Sequence, residues 1–188
     1  KQDKPHVDGL LALTLHQPWA WAMCHGKNVE NRTWWPPASA VGLWVVIHAS
    51  STTRPKREEE ASIEALKKMR RDARPSIPPR DELVRGAFVA VGYLMGASFL
   101  KHHNMVTDHV THLETHHVVK TNALSRAHEI IDIANTSQYS ESGLINWVFN
   151  PILQLDKPVP YRRGMQRLWK VPEDVARQIC FPKCWHVG

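Results

Sequence analysis

The pattern of apolar and polar positions divides the chain into short elements. Leu11–Leu15 is an apolar run that ends at the polar pair His16-Gln17 and reads as a strand. Pro18 suits the first turn of a helix, where a missing N–H costs nothing. Residues 19–23 (WAWAM) continue that helix, and Gly26 is the natural place to stop it. Val29 then begins an extended segment in which Glu30 and Arg32 share a face, because side chains alternate along a strand. Trp34, Trp35, Pro36 and Pro37 end it. Residues 43–47 (LWVVI) form the clearest strand, being β-branched, aromatic and continuous. Ser50 and Ser51 after it read as helix caps.

Residues 54–74 read as one helix. Glu58, Glu59 and Glu60 stand early and Lys67, Lys68, Arg70 and Arg71 late, which suits the helix dipole. Ile63, Leu66 and Met69 make a narrow apolar stripe, and the basic end reads as solvated. Pro75, Pro78 and Pro79 terminate the helix. Residues 88–94 read as a buried strand, and Ile130, Ile131 and Ile133 as a short buried segment. Residues 135–143 are a loop by their Ser, Asn and Gly content. Residues 144–149 read as a strand, Pro151 as a break, and 152–155 as a further short strand. Residues 166–171 form the last strand, with Arg167 and Trp169 on one face.

Composition narrows the class. At 188 residues, 43% hydrophobic and 22% charged, the chain fits one globular domain, here residues 10–175 with tails 1–9 and 176–188. The polar opening reads as a disordered lead rather than a secretory signal. No apolar run reaches the ~20 residues a membrane helix needs, so no membrane partner is expected. Cys24, Cys180 and Cys184 are too few and too unevenly placed for a disulfide framework, which points to a reducing, cytoplasmic setting. The formal charge of +6 and a pI near 9.4 favour polyanionic partners. Residues 157–188 carry seven Lys/Arg against two Asp/Glu.

The candidate chemistry is concentrated early. Residues 15–48 hold five of the eight tryptophans, and at their centre stand Lys27, Glu30 and Arg32 in the spacing K-x-x-E-x-R. Lysine and arginine donate to phosphate or carboxylate. A glutamate between them can orient them, accept from a base edge or act as a general base. Taken alone, the same spacing also describes an exposed ion-pair set on a turn, which would be nearly neutral in energy.

Two further clusters suggest metal. Six of the twelve histidines fall within residues 101–120. On a helix His109, His112 and His116 would share a face at ligand-compatible spacing. Val106, Thr107, Val110, Thr111 and Thr115 argue against a helix there, and a polar insertion over 101–140 is the preferred reading. Cys180, Cys184 and His186 offer three ligands, but free thiols on a short helix are preferred. No metal and no cofactor are therefore expected.

The segment 13–32 resembles the signature region of the ASCH domain family, whose motif is G-x-K-x-x-E-x-R. Lys27, Glu30 and Arg32 fall on its charged positions. The lead-in L-x-x-H-Q-P-W-A is similar to that of the subgroup including a transcription-coactivator ASCH domain and small bacterial ASCH proteins. The motif's glycine stands two before its lysine; that position is His25 here, and Gly26 stands one before. Residues 86–92 resemble the family's central barrel strand, and 143–151 with 158–170 its closing strands.

The resemblance implies an α+β fold, a small PUA-like β-barrel with peripheral helices, the helix 54–74 and the segment 101–140 being insertions. It implies a cleft where the first helix, the charged motif and the strand ends meet. The expected ligand residues are Gln17, Trp19, Lys27, Glu30, Arg32, Trp34, His48 and Arg167. Family members include nucleic-acid-binding modules, proposed ribonucleases and amidohydrolases acting on N4-acetylcytidine. The leading expectation is RNA or nucleotide binding, with Lys27 and Arg32 on phosphate and Trp19, Trp34 or Trp35 stacking a base. The alternative is a hydrolase acting on a modified pyrimidine nucleoside, or a ribonuclease, with Lys27 and Glu30 catalytic. A module that docks a protein partner is the third option.

Overall fold

A computed structural model of the chain describes residues 9–71, 74–107 and 110–179, with the stretch 100–117 described by its backbone alone. It is a mixed α+β protein. The described residues contain seven strands: β1 (Leu11–Leu15), β2 (Val29–Arg32), β3 (Trp44–Ala49), β4 (Ala87–Thr107), β5 (Val110–Thr121), β6 (Ile145–Pro160) and β7 (Leu168–Lys170). They contain four α-helices: α1 (Trp19–Cys24), α2 (Lys56–Arg70), α3 (Ala127–Thr136) and α4 (Glu173–Ala176). None is long and apolar enough to cross a membrane. His109, Cys180, Cys184 and His186 lie outside the described residues.

The contacts divide the chain into two compact units: Lys1–Lys27 with Trp44–Tyr93 and Pro151–Gly188, and Asn28–Leu43 with Leu94–Asn150. In the first, β4, β3, β1 and β7 follow one another in hydrogen-bonded order. β1 runs parallel to β3, with Leu13 opposite Ile47, and antiparallel to β7, with Ala12 opposite Trp169. β3 and β4 are antiparallel, and their register shifts between Ile47 and His48, which leaves Val89 as the extra residue on β4. Such a bulge bends a strand and re-aims the side chain beside it. Leu10, Ala12, Val46, Phe88, Leu155, Val159, Trp169 and Val171 form one buried cluster.

The second unit pairs β2 with β6 antiparallel, placing Glu30 opposite Trp147 and Arg32 opposite Ile145. It also pairs β4 with β5, with Gly96 opposite Thr121 and Thr107 opposite Val110. Val29, Leu94, Ile130, Trp147, Val148 and Phe149 are among its fully buried side chains.

Several expectations need correction. Of the isoleucines expected as a short buried segment, only Ile130 is buried; the segment is the helix α3, which buries Ile130 and Ala134 at a four-residue spacing and leaves Ile131 and Ile133 half-buried. Pro151 does not break a strand: β6 continues through it to Pro160. Within the segment expected as a polar insertion, residues 101–107 and 110–121 are strand, the paired ends of β4 and β5. The last strand is shorter than expected and excludes Arg167, which adopts a left-handed conformation (φ 60°) just before it.

Two further corrections concern α2. Its buried face runs Glu59, Ile63, Leu66, Arg70, so a charged side chain is buried at each end. Arg70 is therefore not part of a solvated helix end. Ser50 and Ser51 do not cap this helix, whose N-cap is Pro55. Ser50 Oγ instead accepts a hydrogen bond from the Thr52 amide, and Ser51 Oγ donates to the Arg162 carbonyl.

Candidate functional site

In the first unit, the turn after α1 delivers Lys27. Gly26 takes φ +97°, a conformation that favours glycine, and the Lys27 amide donates to the Ala22 carbonyl at 2.9 Å. Lys27 is only 3% exposed, and its Nζ lies 6.0 Å from the centroid of the Trp19 ring. That is the outer limit of a cation–π contact. Gln17 is buried just ahead of this helix. Its Nε2 donates to the Val84 carbonyl at 2.6 Å and its Oε1 accepts from the Trp21 amide at 3.0 Å. Both polar ends of Gln17 thus bind α1 to the segment before β4.

His48 sits fully buried in the same unit, ringed by Phe88, Tyr161 and Trp169. Its Nε2 is 2.6 Å from the Tyr161 carbonyl and its Nδ1 is 3.3 Å from the Thr14 hydroxyl. Burial is the main influence on its pKa and pushes it below the ordinary imidazole value; the hydrogen bond to Tyr161 opposes this in part. His16 is also lowered, first by burial and then by the charge of Arg54. Cys24 is no nucleophile. Burial pushes its thiol up to about 12, and its Sγ faces the carbonyls of Ala20 and Val89 at 3.6 and 3.7 Å. Arg167 is exposed on the segment before β7.

Charges are also buried around α2. Glu59, 1% exposed, takes the Arg80 Nε at 2.6 Å and the guanidinium of Arg85. Burial alone would raise its pKa, but hydrogen bonds and charge from Arg85 and Arg80 outweigh that and hold it below the usual carboxylate range. Arg70 donates to the carbonyls of His25, Arg74 and Pro75 and lies 4.9 Å from the Trp21 ring, which stacks on His25 at 4.1 Å.

In the second unit, β2 places Glu30 and Arg32 on one face, as strand alternation requires. Arg32 Nη2 lies 3.1 Å from Glu30 Oε1. The pair is at ion-pair distance but off hydrogen-bond alignment: Nε and Nη2 of Arg32 are buried and find no hydrogen-bond acceptor among the described residues. Arg32 borders a cavity of about 310 Å³ lined also by Thr33, Trp35, Phe99, Gly143, Leu144 and Ile145. The β2–β6 register puts Ile145 directly across from Arg32, which explains why the residues just before β6 form a wall.

Trp34 faces elsewhere. Its ring meets the buried Trp147 edge-on at 4.6 Å, and its carbonyl accepts the Trp147 indole N–H at 3.0 Å. The aromatic wall of the cavity comes from its neighbour Trp35 and from Phe99. Of the sequence candidates, Gln17, Trp19, Lys27, His48 and Arg167 fall in the first unit, and Glu30, Arg32 and Trp34 in the second. Phe99 and Leu144 were not foreseen. Both are distant in sequence from β2, and nothing local marks them.

No protein-family model matches the chain, and no curated protein matches it. The family resemblance therefore rests on the residues that carry it, chiefly the lead-in at 13–20 and the charged triplet Lys27, Glu30 and Arg32.

Proposed function

We propose that the chain is an RNA- or nucleotide-binding domain of ASCH type, in which the K-x-x-E-x-R segment supplies the phosphate contacts. The observation that carries this reading is the cavity beside Arg32. One concave wall combines a guanidinium whose Nε and Nη2 have no acceptor among the described residues with an indole ring. Guanidinium is the side chain best shaped to hold phosphate through paired N–H donors. An aromatic face stacks a base for about 1–3 kcal/mol. A volume near 310 Å³ suits one nucleotide, being at the small end of ligand cavities. Glu30 orients the guanidinium or accepts from a base edge. The net charge of +6 acts in the same direction by drawing polyanions. Support for a PUA-like barrel comes from the unbroken β4, β3, β1, β7 pairing and from the length of β4 and β6.

A second reading, hydrolysis of a modified pyrimidine nucleoside, is favoured by Thr33, a hydroxyl residue lining that cavity. The two readings separate when purified chain is incubated with N4-acetylcytidine and, separately, with labelled single-stranded RNA, with Lys27→Ala as control. Salt-sensitive RNA retention without turnover is the expected result. Turnover that depends on Lys27 would replace binding by catalysis. Neither retention nor turnover would remove both.

A further inference from the structure

The first unit carries a positive charge that its carboxylates do not balance. Glu59 is a single buried carboxylate shared by two half-buried guanidiniums, those of Arg80 and Arg85. Together the three groups leave one positive charge over. A charge removed from water needs a partner of opposite sign. Asp81 lies 3.5 Å from Arg80 Nη1 but is exposed, so it offsets little. Arg85 reaches both Glu59 and the Arg80 carbonyl through Nη2, which leaves its Nε and Nη1 to other acceptors.

His16 stands beside this surplus, just after β1. It is half-buried, and its enclosed Nδ1 has no hydrogen-bond partner among the described residues. The Thr52 backbone holds the ring, and the charges of Arg54 and Arg85 both bear on it. Glu59 is the carboxylate whose charge opposes theirs, and two guanidiniums already hold it. Arg162 comes to the same rim. A Cβ on Gly86, the neighbour of Arg85, would stand 3.3 Å from Ser51 Cβ and 3.4 Å from Arg162 Cγ. Four separate segments therefore converge: the end of β1, the stretch after β3, the stretch before β4 and the stretch after β6.

We infer that this rim binds a phosphate group through Arg54, Arg85 and His16, with Arg162 at its edge. Guanidiniums present paired N–H donors that match phosphate oxygens. Protonated His16 adds a third donor at Nδ1, the atom that lacks a partner. An anion set against the ring favours its charged form, the reverse of what the two guanidiniums do. Arg54 is exposed, so its side chain can move to admit the ion. The site lies wholly in the first unit and does not depend on the reading of the Arg32 cavity.

The test follows the ring signals of His16 by nuclear magnetic resonance in the full chain. Their loss in His16→Gln assigns them. Inorganic phosphate should shift these signals and raise the pH at which His16 titrates. Arg54→Gln, at an exposed position, should weaken phosphate binding by about tenfold, the strength of one charged hydrogen bond. Arg177→Gln removes the same charge on α4 and should leave the response as it is. Two single-stranded oligonucleotides, one with a 5′-phosphate and one with a 5′-hydroxyl, distinguish the source of the phosphate. A response to both assigns the site to a strand backbone, and a response to the first alone assigns it to a phosphate monoester. The proposal is overturned if His16 responds neither to inorganic phosphate nor to either oligonucleotide. It is also overturned if Arg54→Gln and Arg177→Gln weaken the response equally, since the effect would then be one of net charge.

Discussion

The hydroxyl of Thr14 on β1 lies 3.3 Å from Nδ1 of His48 on the parallel strand β3. This contact links Trp169, Thr14, His48 and Tyr161 in one chain of hydrogen bonds, and with a neutral imidazole its direction runs as follows from residue to residue. The Trp169 indole can only donate, and it donates to Thr14 Oγ1 at 3.0 Å. Thr14 therefore has its proton for His48 Nδ1. Nε2 then carries the imidazole proton and donates it to the Tyr161 carbonyl at 2.6 Å. A neutral imidazole satisfies every contact of the network, in agreement with the lowered pKa.

Stability should therefore depend on pH near neutrality. His48 and His16 have folded pKa values below the ordinary 6.5. Between the folded and unfolded values the unfolded chain binds more protons. The contribution of both groups is thus complete above pH 6.5 and is lost as pH falls through the folded values. Melting temperature should fall between about pH 7.5 and pH 5.5, straddling the imidazole range. In His48→Gln it should start lower but fall less. An equal fall in both chains would assign the effect to other groups.

Gly164 closes over this network. A Cβ there would stand 2.6 Å from His48 Cε1, 2.7 Å from Nδ1 and 3.0 Å from the Thr14 hydroxyl. Gly164→Ala should cost about 1–3 kcal/mol, the usual penalty for overpacking a fixed ring. Urea unfolding measures it, and an unchanged midpoint would mean that the 161–167 segment yields freely.

Glu59 joins α2 to the segment before β4 through Arg80 and Arg85. Glu59→Gln leaves two guanidiniums without their carboxylate and should cost about 3–5 kcal/mol, as breaking a buried pair does. Its lowered pKa means that this contribution is present above the ordinary carboxylate value and disappears as pH falls through the folded value. In denaturant melts the gap between the two chains should therefore narrow under acid. A constant gap would show that packing, not charge, holds the site.

Glu30 is expected to matter for binding more than for folding. It lies at ion-pair distance from Arg32, a residue on the wall of the cavity. Glu30→Gln should keep the melting temperature while losing RNA affinity. A collapse in stability would make Glu30 a structural residue.

What the sequence made legible was local. The apolar run of β1, the Pro18 start and Gly26 stop of α1, and the shared face of Glu30 and Arg32 each depend on a few adjacent residues. The misreadings have different causes. Pro151 reads as a break because it cannot donate to a strand ladder, yet β6 runs through it. The β-branched Val106, Thr107, Val110 and Thr111 argue against a helix, but the many polar residues between them hide the strand pairing that the backbone shows. The burial of Glu59 and Arg70 and the walls contributed by Phe99 and Leu144 depend on partners far along the chain, which no local pattern encodes.

The most direct measurement is the affinity of labelled single-stranded RNA across a series of salt concentrations, for the unaltered chain and for Arg32→Ala. If Arg32 holds phosphate, the variant should bind more weakly, and its log–log salt slope should be shallower by about 0.7, the value of one phosphate contact on a single strand. A variant that melts as the unaltered chain does and keeps both the affinity and the slope would contradict the assignment of this cavity to nucleic acid.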